Sequence, residues 1–118
     1  MITFYEYPKC TTCRKGKKFL TENDLDFTVI DMVKHVPSRD TLKGILDKSS
    51  HSIDDFFNTR GTKFKDLGLK EKLPELSEEE KLEYLSSDGM LIKRPIVVLD
   101  DEVLLGFKEE TYKNALLK

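Results

Sequence analysis

Apolar positions in this chain switch between short contiguous runs and a three-to-four-residue repeat, and each switch marks an element. Ile2-Thr3-Phe4-Tyr5 is β-branched and aromatic, which predicts a short buried strand. Tyr7-Pro8-Lys9 breaks it. From Thr11 to about Asn23 the repeat is helical, with Cys13, Lys17, Phe19 and Leu20 giving a mixed apolar and basic surface. Phe27-Thr28-Val29-Ile30 is a second strand. Strand, helix and strand in so short a stretch form a βαβ unit, which predicts a parallel pair with a right-handed crossover.

The middle of the chain is helical in pattern. Ser38 caps a helix running to about Lys48, with Leu42, Ile45 and Leu46 on one face. Ser52 caps a shorter turn holding Ile53, Phe56 and Phe57. Thr62 to Leu67 predicts a further turn, and Leu73-Pro74 ends that section. Ser77-Glu78-Glu79-Glu80 is a capping box ahead of Leu82 and Leu85, closed by Asp88-Gly89. Strand character returns with Ile96-Val97-Val98-Leu99, turns at Asp100-Asp101-Glu102 and runs back through Val103-Leu104-Leu105. After Gly106, Lys108 to Leu117 reads as a last helix with Tyr112, Ala115 and Leu116 inward. The expected fold is α/β: a thioredoxin-like mixed sheet (β-α-β … β-β-α) with an inserted helical lobe. The expected organisation is one domain over 1–118, its thioredoxin-like part at about 1–32 and 93–118 and the insertion at about 33–92.

Composition narrows the field. A chain of 118 residues suits one core. Charged residues, at 36%, exceed the usual quarter, so the surface is well hydrated. A net charge of −2 supplies no overall field for nucleic acid or an anionic membrane, and direct binding to either is not expected. No apolar run approaches the roughly 20 residues of a membrane span. Met1 to Glu6 lacks a basic leader and is too short for a signal peptide, so the expected location is cytoplasmic.

Cys10 and Cys13 are the chain's two cysteines, spaced C-x-x-C. Cytosolic thiols are kept reduced, so a disulfide between these two would be transient and functional. Cys10 follows a strand and opens a helix, where unpaired backbone N–H groups and the helix dipole favour thiolate over thiol. Lys9, Arg14, Lys15, Lys17 and Lys18 lie close by, and no acidic residue occurs between Tyr7 and Thr21. Cys13 sits one turn later on the same face. Position assigns the roles: Cys10 attacks and the more buried Cys13 resolves. A zinc site would need two further ligands, and His35 and His51, sixteen positions apart, match no finger pattern. No metal or organic cofactor is expected, since thiol exchange needs none. Arg60 and Arg94 are candidate oxyanion binders, because a guanidinium presents a fixed fork of donors. Arg14 and Pro95 are supporting members, and a cis bond at Pro95 would set Arg94 beside the cysteines.

Pro8-Lys9-Cys10-Thr11-Thr12-Cys13-Arg14-Lys15, Phe57-Asn58-Thr59-Arg60-Gly61 and Lys93-Arg94-Pro95-Ile96 together resemble the arsenate reductase/Spx family. The likeness runs along essentially the whole chain. It implies a thioredoxin-like fold with a helical insertion, Cys10 as nucleophile, and Arg60 and Arg94 as oxyanion binders. It also implies glutaredoxin, thioredoxin or a low-molecular-weight thiol as reductant, and is consistent with a monomer. The family's arsenate reductases carry a third arginine, whose place falls in Gly106-Phe107-Lys108, where this chain has none. Spx regulators share the cysteine pair, and its oxidation controls their binding to the α subunit of RNA polymerase; their contact glycine falls at Ser52. The expected function is a small thiol–disulfide oxidoreductase resembling arsenate reductase. The alternative is an Spx-like redox-switched regulator of RNA polymerase.

Overall fold

The structure, a computed structural model, describes residues 2–117. Strand β1 (Ile2–Glu6) leads through helix α1 (Thr11–Glu22) into β2 (Phe27–Asp31). The two strands pair in parallel from Ile2↔Phe27 to Glu6↔Asp31. Strands β3 (Ile96–Val98) and β4 (Val103–Leu105) form an antiparallel hairpin that joins the other edge of β1. The sheet order is therefore β2-β1-β3-β4, with helix α6 (Glu109–Leu116) following the hairpin. This is the thioredoxin-like mixed sheet that the order of elements predicts.

Strand alternation divides the apolar residues between two faces. Phe4, Val97 and Leu104 are register partners and turn toward α1 and α6, packing with Phe19, Leu20 and Tyr112. Tyr5, Ile96 and Val103 turn the other way, into a larger cluster with the segment between β2 and β3. That segment supplies Leu42 and Ile45 from α2 (Arg39–Lys48), Phe64 from α3 (Thr62–Asp66), and Leu69 from α4 (Leu69–Lys72). It adds Leu82 and Leu85 from α5 (Glu78–Ser87) and Phe56 from a short 3₁₀ turn at Ile53–Phe56. Ser38 accepts from the Thr41 N–H at the start of α2, and Ser77 forms the capping box of α5 with Glu80. A second 3₁₀ turn, Gly89–Leu91, brings the segment back to the sheet. A Cβ on Gly89 would lie 2.2 Å from the Met32 carbonyl oxygen, so only glycine fits this contact with the end of β2.

Three local expectations are corrected. Leu73-Pro74 does not end its section: Pro74 lies inside a 3₁₀ turn, Leu73–Glu75, directly after α4, where a residue without an N–H costs nothing. Leu99 is not a strand residue, because its N–H is taken by Glu102 O at 2.8 Å to close the hairpin turn. The helical segment also contains one antiparallel bridge, Phe57↔Ile92. Among the described residues no helix is long and apolar enough to cross a membrane.

Candidate thiol site

The chain leaves β1 at Glu6 and turns through Tyr7-Pro8-Lys9, closed by the Cys10 N–H donating to Tyr7 O at 2.9 Å. Cys10 becomes the N-cap of α1 in extended conformation. Its carbonyl accepts the Arg14 N–H at 3.1 Å, the first bond of the helix. Arg14 Nε reaches back to Pro8 O at 3.1 Å and pins the turn. Cys13 lies one turn on, fully buried, while Cys10 is partly exposed. Both are free thiols.

The two sulfurs face opposite environments. Burial pushes the Cys10 thiol up, but the Cys13 backbone N–H, the Cys13 thiol and the Arg94 guanidinium together outweigh burial and hold it below its ordinary value. Its sulfur makes no fully formed capping bond, so it is directed by these groups without being tied to one. Burial also dominates at Cys13, and the charge of Cys10 adds to it; its thiol is pushed up to about 12. One member of the pair is thus prepared to ionise and the other to keep its proton.

Arg94 joins the cysteines through the end of the helical segment. The Phe57↔Ile92 bridge is extended by the Asn58 N–H to Leu91 O at 2.8 Å and the Lys93 N–H to Phe56 O at 2.7 Å. Arg94 follows, and the Arg94–Pro95 peptide is cis. Its guanidinium stacks 5.0 Å above the Tyr7 ring, a cation–π contact, and Nη1 approaches Met90 Sδ at 4.0 Å. Arg94 Nε is buried with no hydrogen-bond partner among the described residues. An arginine so placed, without a carboxylate, is a donor in want of an anion.

The same bridge carries Arg60 toward Arg94. The Gly61 N–H donates to Asn58 O at 3.1 Å, and a Cβ on Gly61 would meet Asn58 Nδ2 at 2.8 Å, so a side chain there would push the Asn58 amide aside. Asn58, Arg60 and Arg94 line two adjoining clefts of about 540 and 440 Å³. The first also holds Lys63, Asp66 and Asp88. The second is walled by Thr12 of the cysteine motif, Lys93 and the segment Gly106-Phe107-Lys108. The structure thus brings Cys10, Cys13, Arg94 and Pro95 into one locus. It puts exposed Arg60 across the cleft from the motif, with Thr12 rather than Cys10 on the cleft wall.

The helix lysines are not what prepares Cys10. Lys17 turns to buried Glu6 at 3.5 Å and Arg14 is spent on Pro8, whereas Arg94 is the cation acting on the sulfur. Tyr7, Asn58, Lys93 and Lys108 were not singled out from the sequence. Tyr7 adjoins the cysteine motif, and Asn58 and Lys93 lie inside the two arginine motifs, a signal that could have found all three. Among the described residues no cluster of three His, Cys, Asp or Glu side chains could hold a metal ion.

A two-cysteine motif capping the first helix of a thioredoxin-like sheet, faced by an arginine ahead of a cis-proline, defines a class of small thiol-bearing proteins. Residues 5–115 match the ArsC family, and the chain belongs to it. The uncharacterized protein YusI of Bacillus subtilis strain 168 is 48% identical over 112 residues, covering 95% of each chain. The regulatory protein MgsR of the same bacterium is 36% identical over 106 residues, 90% of this chain and 82% of its own. The crystal structure of a possible arsenate reductase from Streptococcus mutans UA159 matches with a TM-score of 0.86 and 41% identity, covering 96% of this chain and 98% of its own. The chain's relatives therefore carry both enzymatic and regulatory names.

Proposed function

We propose that the protein is a small thiol–disulfide oxidoreductase acting in the cytoplasm, with Cys10 as nucleophile and Cys13 as resolving thiol. The observation that carries this reading is the Arg94 guanidinium, without a carboxylate of its own, bearing on the one sulfur of the pair that is lowered. In the proposed cycle the Cys10 thiolate attacks a disulfide and expels one thiolate, or attacks a reducible oxyanion held by Arg94 and Arg60 and expels one oxygen as water, and stays covalently bonded to the remaining part of the substrate. Cys13 gives up its proton and attacks Cys10, releasing the second product and leaving a Cys10–Cys13 disulfide. A glutaredoxin, a thioredoxin or a small thiol returns the pair to the dithiol. The family match and the similarity to a protein named for arsenate reduction support an enzyme of this class.

The test is a pair of variants assayed for disulfide reduction. Cys10→Ser is expected to abolish turnover, and Cys13→Ser to accumulate one mixed disulfide per chain, visible by mass spectrometry. Full activity in the Cys10→Ser protein would overturn the mechanism.

The similarity to MgsR, named a regulatory protein, favours a second reading as a regulator, and the resemblance to Spx makes it a redox-switched one that docks on the α subunit of RNA polymerase. The exposed residues Ser52, Asp54 and Asp55 at the start of the 3₁₀ turn are then the contact surface. A pull-down with the α subunit's C-terminal domain, on reduced and oxidised protein, decides it: binding in one redox state supports the switch, and binding in neither removes it.

A further inference from the structure

The second cleft is larger and more strongly charged than one small oxyanion requires. Its wall carries four cationic side chains, Arg60, Lys93, Arg94 and Lys108, and no carboxylate among the described residues. Arg60, Lys93 and Lys108 make no ion pair with any described residue, so no acidic side chain of the wall or of a salt bridge neutralises them. They also come from three separate places in the chain. Arg60 stands on the turn after the 3₁₀ helix, Lys93 on the lead-in to β3, and Lys108 at the N-cap of α6. Lys93 runs along the wall past Gly106, its Cε 3.6 Å from where a side chain there would begin. Convergence of four like charges without counter-charges is unfavourable in the free protein, so the arrangement fits a ligand that brings the missing negative charge. The cleft opens at Thr12 in the first turn of α1, and Arg94 belongs both to its wall and to the surroundings of the Cys10 sulfur. At about 440 Å³ it has the size of a small-molecule site rather than of a phosphate-sized pocket.

We infer that this cleft selects a low-molecular-weight disulfide carrying carboxylate groups on both sides of its sulfurs, with Lys93 and Lys108 as specificity-determining residues. One carboxylate is held near Arg94 beside the reacting sulfur. The other lies along the Lys93–Lys108 side of the cleft. This rests on the reading of Cys10 as nucleophile. The Cys10 thiolate attacks the near sulfur of R–S–S–R, forming Cys10–S–S–R and releasing R–S⁻. Cys13 loses its proton and attacks the Cys10 sulfur, forming Cys10–Cys13 and releasing the second R–S⁻. Two electrons pass from the protein dithiol to the small disulfide, and the two thiolates take up protons from Cys13 and solvent. An external dithiol restores the protein.

The experiment is a single-turnover series in which pre-reduced protein is mixed with one of three small disulfides and loss of protein thiol is followed. Dithiodipropionate bears two carboxylates, hydroxyethyl disulfide is neutral and cystamine bears two ammonium groups. The expected order of rate constants at low salt is anionic over neutral over cationic, each step about tenfold and shrinking as salt is added. Lys93→Gln with Lys108→Gln is expected to lower the dithiodipropionate rate about tenfold while leaving hydroxyethyl disulfide within about twofold. Equal rates for the three disulfides, or a double variant that slows all of them alike, would overturn the inference and leave the thiol chemistry standing. Wild-type protein that reacts with none of them would instead count against Cys10 as nucleophile. Calorimetric titration with suberate, the dicarboxylate of matching length without sulfur, then decides the cleft on its own: binding that is lost in the double variant upholds it, and no binding removes it.

Discussion

At the scale of single residues, Arg94 concentrates what is unusual in this molecule. Its guanidinium rests on Tyr7, leaves Nε buried and unpaired, and acts on Cys10 both as donor and as charge. Replacing it by glutamine removes the charge while keeping much of the volume, so the Cys10 thiol should move up toward its ordinary value. A thiolate is the attacking species, so the rate at neutral pH should fall by about tenfold or more and recover as pH is raised. The check is a pH–rate profile beside an ultraviolet titration of the thiolate. Unchanged profiles would assign the lowering to the start of α1 and the Cys13 thiol instead. Lysine at this position restores the charge but not the planar fork, and should recover the titration more fully than the rate. The motif itself was legible in the sequence, because strand, break and helix start are local signals that set Cys10 at an N-cap whatever the rest of the chain does. Which cation acts on it was legible only in part: a cis bond at Pro95 was expected to set Arg94 beside the cysteines, but as an oxyanion binder and not as the charge that lowers the thiol. Five basic residues within eight positions of Cys10 pointed to the helix, yet Lys17 is turned to Glu6 and Arg14 to Pro8. The effective charge arrives from Arg94, far along the chain, through strand pairing that no local pattern announces.

At the scale of elements, the parts read most securely are those whose ends are written in side chains. Ser38 and Ser77 were expected to open helices and do so, each accepting an N–H three residues on. Removing either hydroxyl by substitution to alanine should cost about 1 kcal/mol and lower the melting temperature by a few degrees, with activity per folded molecule unchanged. Thermal melts followed by circular dichroism check this; a Ser77→Ala protein as stable as the parent would mean that Glu80 and the acidic first turn suffice for the cap. The facing surfaces of α2 and α5 are linked by Arg39 to Glu79 and Glu83 and by Lys43 to Glu78, all exposed, and such pairs contribute little beside the apolar contacts beneath them. One element missed has no capping side chain at either end. Helix α4 has Gly68 in left-handed conformation at its start and runs straight into the turn holding Pro74, so neither end carries a capping side chain that a sequence pattern could register. The strands were legible for a different reason: period-two alternation over Phe4-Tyr5, Ile96-Val97 and Val103-Leu104 serves two buried faces at once, and each reads as a continuous apolar run.

At the scale of the whole molecule, the cysteine pair couples chemistry to folding, because the two thiols respond to pH in opposite senses. Cys10 is lower in the folded chain than in the unfolded one, so its contribution to stability is present above the ordinary thiol value of 9.0 and is lost as pH falls through the lowered value. Cys13 is the reverse. In the folded chain it keeps its proton to about 12, whereas the unfolded chain ionises it near 9.0, so stability falls as pH rises between those values. Each such group contributes a slope of up to about 1.4 kcal/mol per pH unit. Two tyrosines act in the same direction as Cys13, since burial raises both Tyr5 and Tyr112 above their ordinary 10.0. Tyr112 adjoins the same helix, its hydroxyl donating to Gly106 O at 2.7 Å and lying 3.1 Å from the position a Gly16 Cβ would take. The Cys13 share is therefore the difference between reduced parent and Cys13→Ala, read between pH 9 and 10, because both proteins carry the two tyrosines and their ionisation cancels in the difference. Denaturant melts across that window should show the parent losing stability more steeply than Cys13→Ala, whatever cost the lost sulfur adds at neutral pH. The oxidised parent, with no thiol left to ionise in either state, should follow the shallower slope as well. Parallel curves for the three proteins would mean that Cys13 titrates much as it does in the unfolded chain, and the division of labour between the two sulfurs would have to rest on exposure alone.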